Sequence, residues 1–310
     1  MMNNKKAMVM TSFLADSLAL GVHWIYDTRR IAEEFGVVEN LLKPPAGSHH
    51  AEKDKGELTH YGDQTFVLLK SVASQKSFDA NDFSNRWQSL FKDYKGYYDH
   101  ATKGTLQNLS LGKSPEMAGS SSDDLAGASR VAPLVYCYRD DPDGLVEAAR
   151  LQTMMTHNHP LVIDSAEFFA RVTWSVLNGA SPTVAMEGIA KEIFNRSPIS
   201  TWVNDGMNTR DQDSVKTIAD FGQSCHLGDA FPGVVHLIAG YENDLREALV
   251  QTVMTGGDSA ARGMLVGMVL GAHLGVGNIP EKWLSEMKKT DDICALLDEL
   301  HDVELSSQTK

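Results

Sequence analysis

At 310 residues the chain is long enough for one large domain or two ordinary ones, and 42% apolar with 22% charged residues is the mixture of a globular protein with a sizeable core. A net charge of −13 excludes a partner held by its phosphate backbone, because nucleic-acid affinity rests on clustered Lys and Arg, and the lysine doublets Lys5–Lys6 and Lys288–Lys289 are short. Cys137, Cys225 and Cys294 stand far apart without a Cys-x-x-Cys pair, which excludes a zinc ribbon or disulfide framework and fits a reducing cytoplasm.

In chain order, Lys5–Lys6 followed by an apolar run from Ala7 has the outline of a signal peptide. Asp16 interrupts that run and no small-x-small cleavage site follows, so the segment is read as the first helix. Apolar residues at three- and four-residue steps predict helices over 7–22, 64–75, 80–94, 124–138, 144–155, 161–178, 183–194, 212–222, 228–239, 243–255, 259–275 and 280–287. Alternating Val/Ile/Thr stretches are nearly absent, and no interdomain linker or fixed-period repeat stands out. The expectation is an all-α protein with a single domain over 1–310 and a core of about 7–285. Two long loops, 36–63 and 95–123, either shape a site or are simply mobile. Gly263, Gly267, Gly271 and Gly275 recur every fourth residue, a smooth ridge for close approach of another backbone. Arg262 and His273 and the short length favour a buried central helix over a membrane span.

Four constellations carry chemistry. Asp16 lies mid-helix among Leu14, Leu18 and Leu20, where a carboxylate needs a hydrogen-bond donor or a cation; loop amides are the structural alternative. Asp63, in Tyr61-Gly62-Asp63-Gln64-Thr65, and Asp258, in Gly256-Gly257-Asp258-Ser259, each precede a helical pattern and read as N-caps. Should the two helix starts converge, the carboxylates and positive helix ends could share a metal or phosphate. Thr156-His157-Asn158-His159-Pro160 offers a His-x-His pair, better suited to substrate contact or capping than to a metal, since no third ligand follows at helical spacing.

Taken in order, the Asp16 helix, the Asp-Gln-Thr segment, the stretch Ser122-Asp123-Asp124-Leu125-Ala126-Gly127-Ala128-Ser129-Arg130-Val131-Ala132-Pro133-Leu134, the Thr-His-x-His-Pro turn and the final Gly-Gly-Asp resemble the ADP-ribosylglycohydrolases, a family that includes the dinitrogenase reductase-activating hydrolases. Tyr-Gly-Asp-Gln-Thr, His-Trp-Ile-Tyr and Gly-Gly-Asp-Ser-Ala-Ala-Arg-Gly point to the branch of selenoprotein J and the jellyfish J-type crystallins. The resemblance implies an orthogonal multi-helix bundle whose cleft holds two magnesium ions and cleaves ADP-ribose from a modified side chain at its anomeric carbon. It implies ligands from a Thr-Asp-Asp stretch, here Tyr61, Gly62 and Asp63, and from an Asp-x-Asp-Thr stretch, here Asp258, Ala260 and Ala261. An acidic residue usual near the end of the first helix falls at His23.

Only Asp63 and Asp258 survive as oxygen ligands, enough for one weakly bound magnesium and not for a tight dinuclear pair. The resemblance therefore implies a hydrolase with an altered centre: Asp63 and Asp258 as metal-binding and catalytic residues, with His23 as acid or base. Lys103, Gly104, Thr105, Gly127, Ser129 and His157 match segments that approach the phosphates, ribose and ADP-ribose, and Asp16 belongs with them. Arg262, one turn after Asp258, either forms a helix salt bridge or places a fixed cation where a metal would lie. Its partner is then ADP-ribose or an ADP-ribosylated protein. The alternatives are an inactive ADP-ribose- or nucleotide-binding protein and a structural, crystallin-like protein.

Overall fold

Helix starts follow the local chemistry of the chain. Side chains of Asp27, Thr59, Asp79, Asp99, Asp141, Asp213, Asp244 and Asp258 accept backbone N–H bonds at the N-caps of their helices. Pro142, Pro160, Pro182 and Pro198 stand in first turns, where the missing N–H costs nothing. The computed structural model describes residues 2–277 and 279–307, with side chains described through Leu300. Among these residues the fold is the expected all-α orthogonal bundle, relieved only by two isolated bridges, Ser120 with His157 and Asp124 with His226.

The Asn4–Ala19 and Ser259–Leu274 helices pack against each other more extensively than any other pair in the bundle. A Cβ on Gly267 would lie 2.4 Å from Thr11 O, and one on Gly271 2.0 Å from Thr11 Oγ1, so only glycine permits this approach. Thr11 Oγ1 lies 2.7 Å from Ala7 O and 2.6 Å from Gly267 O, bridging the two backbones. This packing offsets the roughly 1 kcal/mol of propensity each helical glycine costs. The ridge is thus a buried helix pair, and no described helix is long and apolar enough to cross a membrane.

The structure departs from the periodic reading at identifiable places. The expected 124–138 helix is two short ones, Ala126–Ser129 and Ala132–Cys137, because Pro133 cannot sit in a helix interior. The expected 95–123 loop contains the His100–Ser110 helix, whose buried face is Ala101, Thr102 and Thr105, too small and polar to register as apolar periodicity. Thr28–Phe35 buries only Ile31, and Pro198–Asn208 was also unforeseen. The core continues past residue 285: Ile293, Leu297 and Leu300 of the Thr290–Ser307 helix are buried, and Tyr136 Oη donates to Leu297 O at 3.2 Å.

Candidate active site

The site begins at the Gly256–Gly257 turn. Both glycines have positive φ, 69° and 64°, and a Cβ on Gly257 would lie 2.2 Å from Gln223 O. Gly257 N donates to Ile25 O and Trp24 N to Gly257 O, each at 2.9 Å, which ties the end of the first helical segment to this turn. Trp24 itself is held at φ 65°, a strained conformation for a bulky residue. Asp258 N donates to Gln223 O at 3.0 Å, and Leu125 N to Cys225 O at 2.9 Å. Loops near residues 24, 124, 225 and 257, distant in sequence, therefore share one floor.

Asp258 is that floor's central charge, buried and capping its helix through Ala261 N. His23 Nε2 lies 2.9 Å from its Oδ1, and Tyr61 Oη donates toward its Oδ2 at 3.4 Å. Burial would push the Asp258 carboxyl up, but the His23 hydrogen bond and nearby Arg262 outweigh it and hold the group ionised, below its ordinary range. Burial lowers His23 despite Asp258, so the neutral ring donates from Nε2 to the carboxylate and accepts at Nδ1 from His50 Nε2, 2.8 Å away. The result is a His50–His23–Asp258 chain. One carboxyl oxygen each of Asp124 and Asp258 and the Cys225 sulfur lie within 4.8 Å of one another. Burial and the Asp258 charge push Asp124 well above the usual carboxyl range, and burial with Asp124 raises Cys225.

Above this floor opens a cleft of about 370 Å³ whose lining includes Trp24, Tyr26, His49, Tyr97, Asp99, Asp124 and Cys225. Trp24, His49 and Tyr97 pack ring to ring at 5.0, 5.0 and 4.8 Å, and Trp24 stacks on His23 at 4.2 Å. Asp99 caps its helix at Thr102 N and lies 3.1 Å from His60 Nε2; burial raises its carboxyl, but the His60 hydrogen bond prevails and holds it low.

The expected site residues divide. The two helix starts do converge, but through Tyr61, not Asp63. The His60–Gln75 helix is capped by Thr59, not Asp63, which places Asp63 within the first turn and aims its carboxylate at Lys53 Nζ (2.5 Å) and Tyr94 Oη (2.7 Å). Asp16 accepts from Thr59 N at 2.7 Å and Thr59 Oγ1 at 2.5 Å, the structural role, and burial raises its carboxyl to about 6. Arg262 forms no helix salt bridge with Asp258 among the described residues; its guanidinium donates to Gly256 O, and at 3.4 Å to Gln223 O and Thr255 Oγ1, bracing the glycine turn. Ser129 Oγ donates to Ala126 O and Thr105 Oγ1 to Thr156 O, so both hydroxyls are spent on backbone. Gly104 lies against Ser120 and Gly127 against His157, each where a Cβ would crowd a neighbour. His157 is buried, with Nδ1 3.0 Å from Thr156 Oγ1 and Nε2 unpaired, and burial lowers it to about 3. Lys103 lies over the rings of Tyr97 and Tyr98.

A dinuclear magnesium centre does not fit these residues. Gly62, Ala260 and Ala261 offer no side-chain oxygen, Asp63 is engaged elsewhere, and the space beside Gly62 is filled: a Cβ there would lie 2.3 Å from Asp16 Oδ2. Among the described residues the donors that do meet, Asp124, Cys225 and Asp258, could hold one ion. Residue order assigned no role to Cys225, to His50 or to Tyr26 at the end of the His-Trp-Ile-Tyr motif, and it left the visible Asp123–Asp124 pair unassigned.

Comparison with known proteins shows where the chain belongs. The chain is 24% identical to crystallin J1A of Tripedalia cystophora over 95% of each. It is 23% identical to ADP-ribosylhydrolase ARH3 of Mus musculus, covering 91% of this chain and 87% of that protein. It is 22% identical to the ADP-ribosyl-[dinitrogen reductase] glycohydrolase of Rhodospirillum rubrum, covering 88% and 87%. A solved ADP-ribosylglycohydrolase-related protein complex shares the fold with a TM-score of 0.72, at 20% identity over 97% of each chain. The ADP-ribosylglycohydrolase family profile matches residues 3–309, and the chain belongs to that family.

Proposed function

We propose that the protein is an ADP-ribosyl hydrolase that cleaves the N- or O-glycosidic bond between ADP-ribose and a protein side chain or related small molecule, in the cytoplasm, as a single-domain protein. The observation that carries this reading is the pair of carboxyl groups, Asp124 and Asp258, within 4.8 Å at the base of an aromatic-walled cleft. Glycoside cleavage passes through an oxocarbenium-like state, whose positive charge the ionised Asp258 stabilises while the second carboxyl serves as acid. Asp258, kept ionised, orients the attacking water and takes its proton, while Asp124, kept protonated by burial and the Asp258 charge, gives its proton to the departing nitrogen or oxygen as the bond to the anomeric carbon breaks. His23 is a positioning residue, holding Asp258 through Nε2 while His50 fixes its tautomer. Lys103 stands at the aromatic rim for the diphosphate, His157 and Gly127 back the ribose side, and Arg262 holds the turn that presents Asp258. Asp63 acts at a distance, by tying Lys53 and Tyr94 beside the cleft.

A second reading, an inactive ADP-ribose-binding or crystallin-like protein, is favoured by the likeness to crystallin J1A and by the filled space at Gly62. The two readings separate when purified protein is incubated with ADP-ribosylated arginine and serine peptides, with and without magnesium. Release of ADP-ribose that is lost in Asp258→Asn supports the hydrolase. No release in any arm, with calorimetric binding of ADP-ribose, supports the binding protein.

A further inference from the structure

Gln64 of the Asp-Gln-Thr segment, Arg130 and the Thr156–His157 turn meet behind the cleft in one buried polar chain. Arg130 is buried, and its guanidinium donates to Thr156 Oγ1, to Gln64 Oε1 at 3.3 Å and to Gln152 Oε1 at 3.4 Å. Trp87 Nε1 donates to the same Gln64 oxygen at 2.8 Å, while Gln64 Nε2 donates to His60 O at 3.0 Å, so the amide has a single orientation. Among the described residues no carboxylate bonds Arg130. Burial lowers it only to about 10, so it stays charged at neutral pH.

This chain has a direction. A guanidinium only donates, so Thr156 Oγ1 is the acceptor of the Arg130 contact and its own hydrogen needs another partner. The neighbouring atom is His157 Nδ1, 3.0 Å away. A ring proton on Nδ1 would go to Thr156 Oγ1, which leaves the hydroxyl hydrogen without an acceptor and the buried Nε2 lone pair without a donor among the described residues. A ring proton on Nε2 lets the hydroxyl donate to Nδ1, and only the Nε2–H is left over. Each unpaired buried group costs free energy, so the second arrangement wins. Burial and the Arg130 charge hold the ring neutral, lowered to about 3. Its place is fixed as well. A Cβ on Gly127 would lie 2.7 Å from His157 Cγ, and Ser120 pairs with the turn through Thr156 O and Asn158 N, two residues before Ser122 of the cleft wall.

Resting on the placement of His157 against the ribose side, we infer that Arg130 and Thr156 are positioning residues: the Arg130–Thr156–His157 chain holds the imidazole as its Nε2–H tautomer and reserves that unspent donor for an acceptor oxygen of the bound ligand. Both residues act through His157. The other tautomer would present a lone pair to the same oxygen and repel it.

Nitrogen-15 NMR of the full chain labelled at histidine reads the tautomer without requiring turnover, the His157 signals being those lost in His157→Gln. At pH 7 the natural protein should show a neutral ring protonated at Nε2 alone. Thr156→Val removes the donor to Nδ1 and should give a mixture of tautomers, and Thr156→Ser, which keeps a hydroxyl, should restore the single form. Arg130→Gln frees the hydroxyl to accept from the ring and should give a mixture too. By calorimetry, Thr156→Val should weaken ADP-ribose at least about tenfold, the loss of one hydrogen bond to a ligand, and Thr156→Ser should recover it. In hydrolysis the same loss should fall on KM and not on kcat. An Nδ1–H ring in the natural protein overturns the inference whether or not the variants fold, and leaves the hydrolase reading intact. A Thr156→Val protein unchanged in both tautomer and affinity overturns it as well. A Thr156-dependent Nε2–H ring in a protein that neither binds nor cleaves ADP-ribose upholds the positioning roles and sinks the hydrolase reading instead.

Discussion

Two helix starts, at His60 and Ser259, look alike in the chain, each with an aspartate beside glycine ahead of an apolar pattern, yet their carboxylates meet opposite fates. Asp258 is the true N-cap of its helix and is buried at the base of the cleft, with His23 and Tyr61 on its oxygens. Asp63 stands four residues beyond the cap Thr59, and that shift turns it to Lys53 and Tyr94. The lesson is one of register. At a cap, the side chain leaves the helix at its N-terminal end, where loops converge; a turn later it points sideways, to whatever flanks the helix.

The largest expected effect comes from trying to make the two starts equivalent. Gly62→Asp introduces the acidic residue that the resemblance implies at this position but drives it onto the buried Asp16 carboxyl and Leu58, and should destabilise the protein by more than about 3 kcal/mol in urea denaturation. Unchanged stability, with newly gained magnesium binding, would show that the space is open after all.

Asp16 sharpens the same point through pH. Its folded carboxyl is raised from 3.8 to about 6, so its contribution to stability is complete below pH 3.8 and is lost as the pH rises through 6. Relative to Asp16→Asn, the natural protein should lose about 2 kcal/mol between pH 4 and pH 7, read from urea midpoints. A difference independent of pH would mean that the Asp16 charge is not confined beside Thr59.

The remaining pair tests the two aspartates directly. Asp258→Asn should lower the rate of ADP-ribose release by about a hundredfold or more, since an amide cannot take a proton from water. Asp63→Asn should cost only about 1 kcal/mol of stability and less than tenfold in rate, because it weakens a partly exposed ion pair. Equal losses in the two variants would place both carboxylates in the reaction and return Asp63 to the centre.

Much of the fold was legible because helices announce themselves locally. Repeated apolar steps, capping aspartates and first-turn prolines marked most of the elements, and glycine at every fourth position announced the Asn4–Ala19 contact before its partner was known. The helices that were missed, such as His100–Ser110 and Thr28–Phe35, bury small, polar or single residues, so periodicity had little to detect. At the site the chain order exposed Asp258 and His23 but not their association. It exposed neither His50 nor Cys225, which bear no local signal and reach the floor only because the loops fold over it.

The sequence by itself determined the helical class and the family, because these depend on residue identity and spacing along one chain. Tertiary structure alone decided which carboxylate is engaged elsewhere, which is paired and which faces the cleft. Those outcomes depend on burial and on partners tens to hundreds of residues away: Thr59 for Asp16, Lys53 and Tyr94 for Asp63, His23 for Asp258. A carboxylate's charge is set by the groups around it, and only the folded chain brings those groups together.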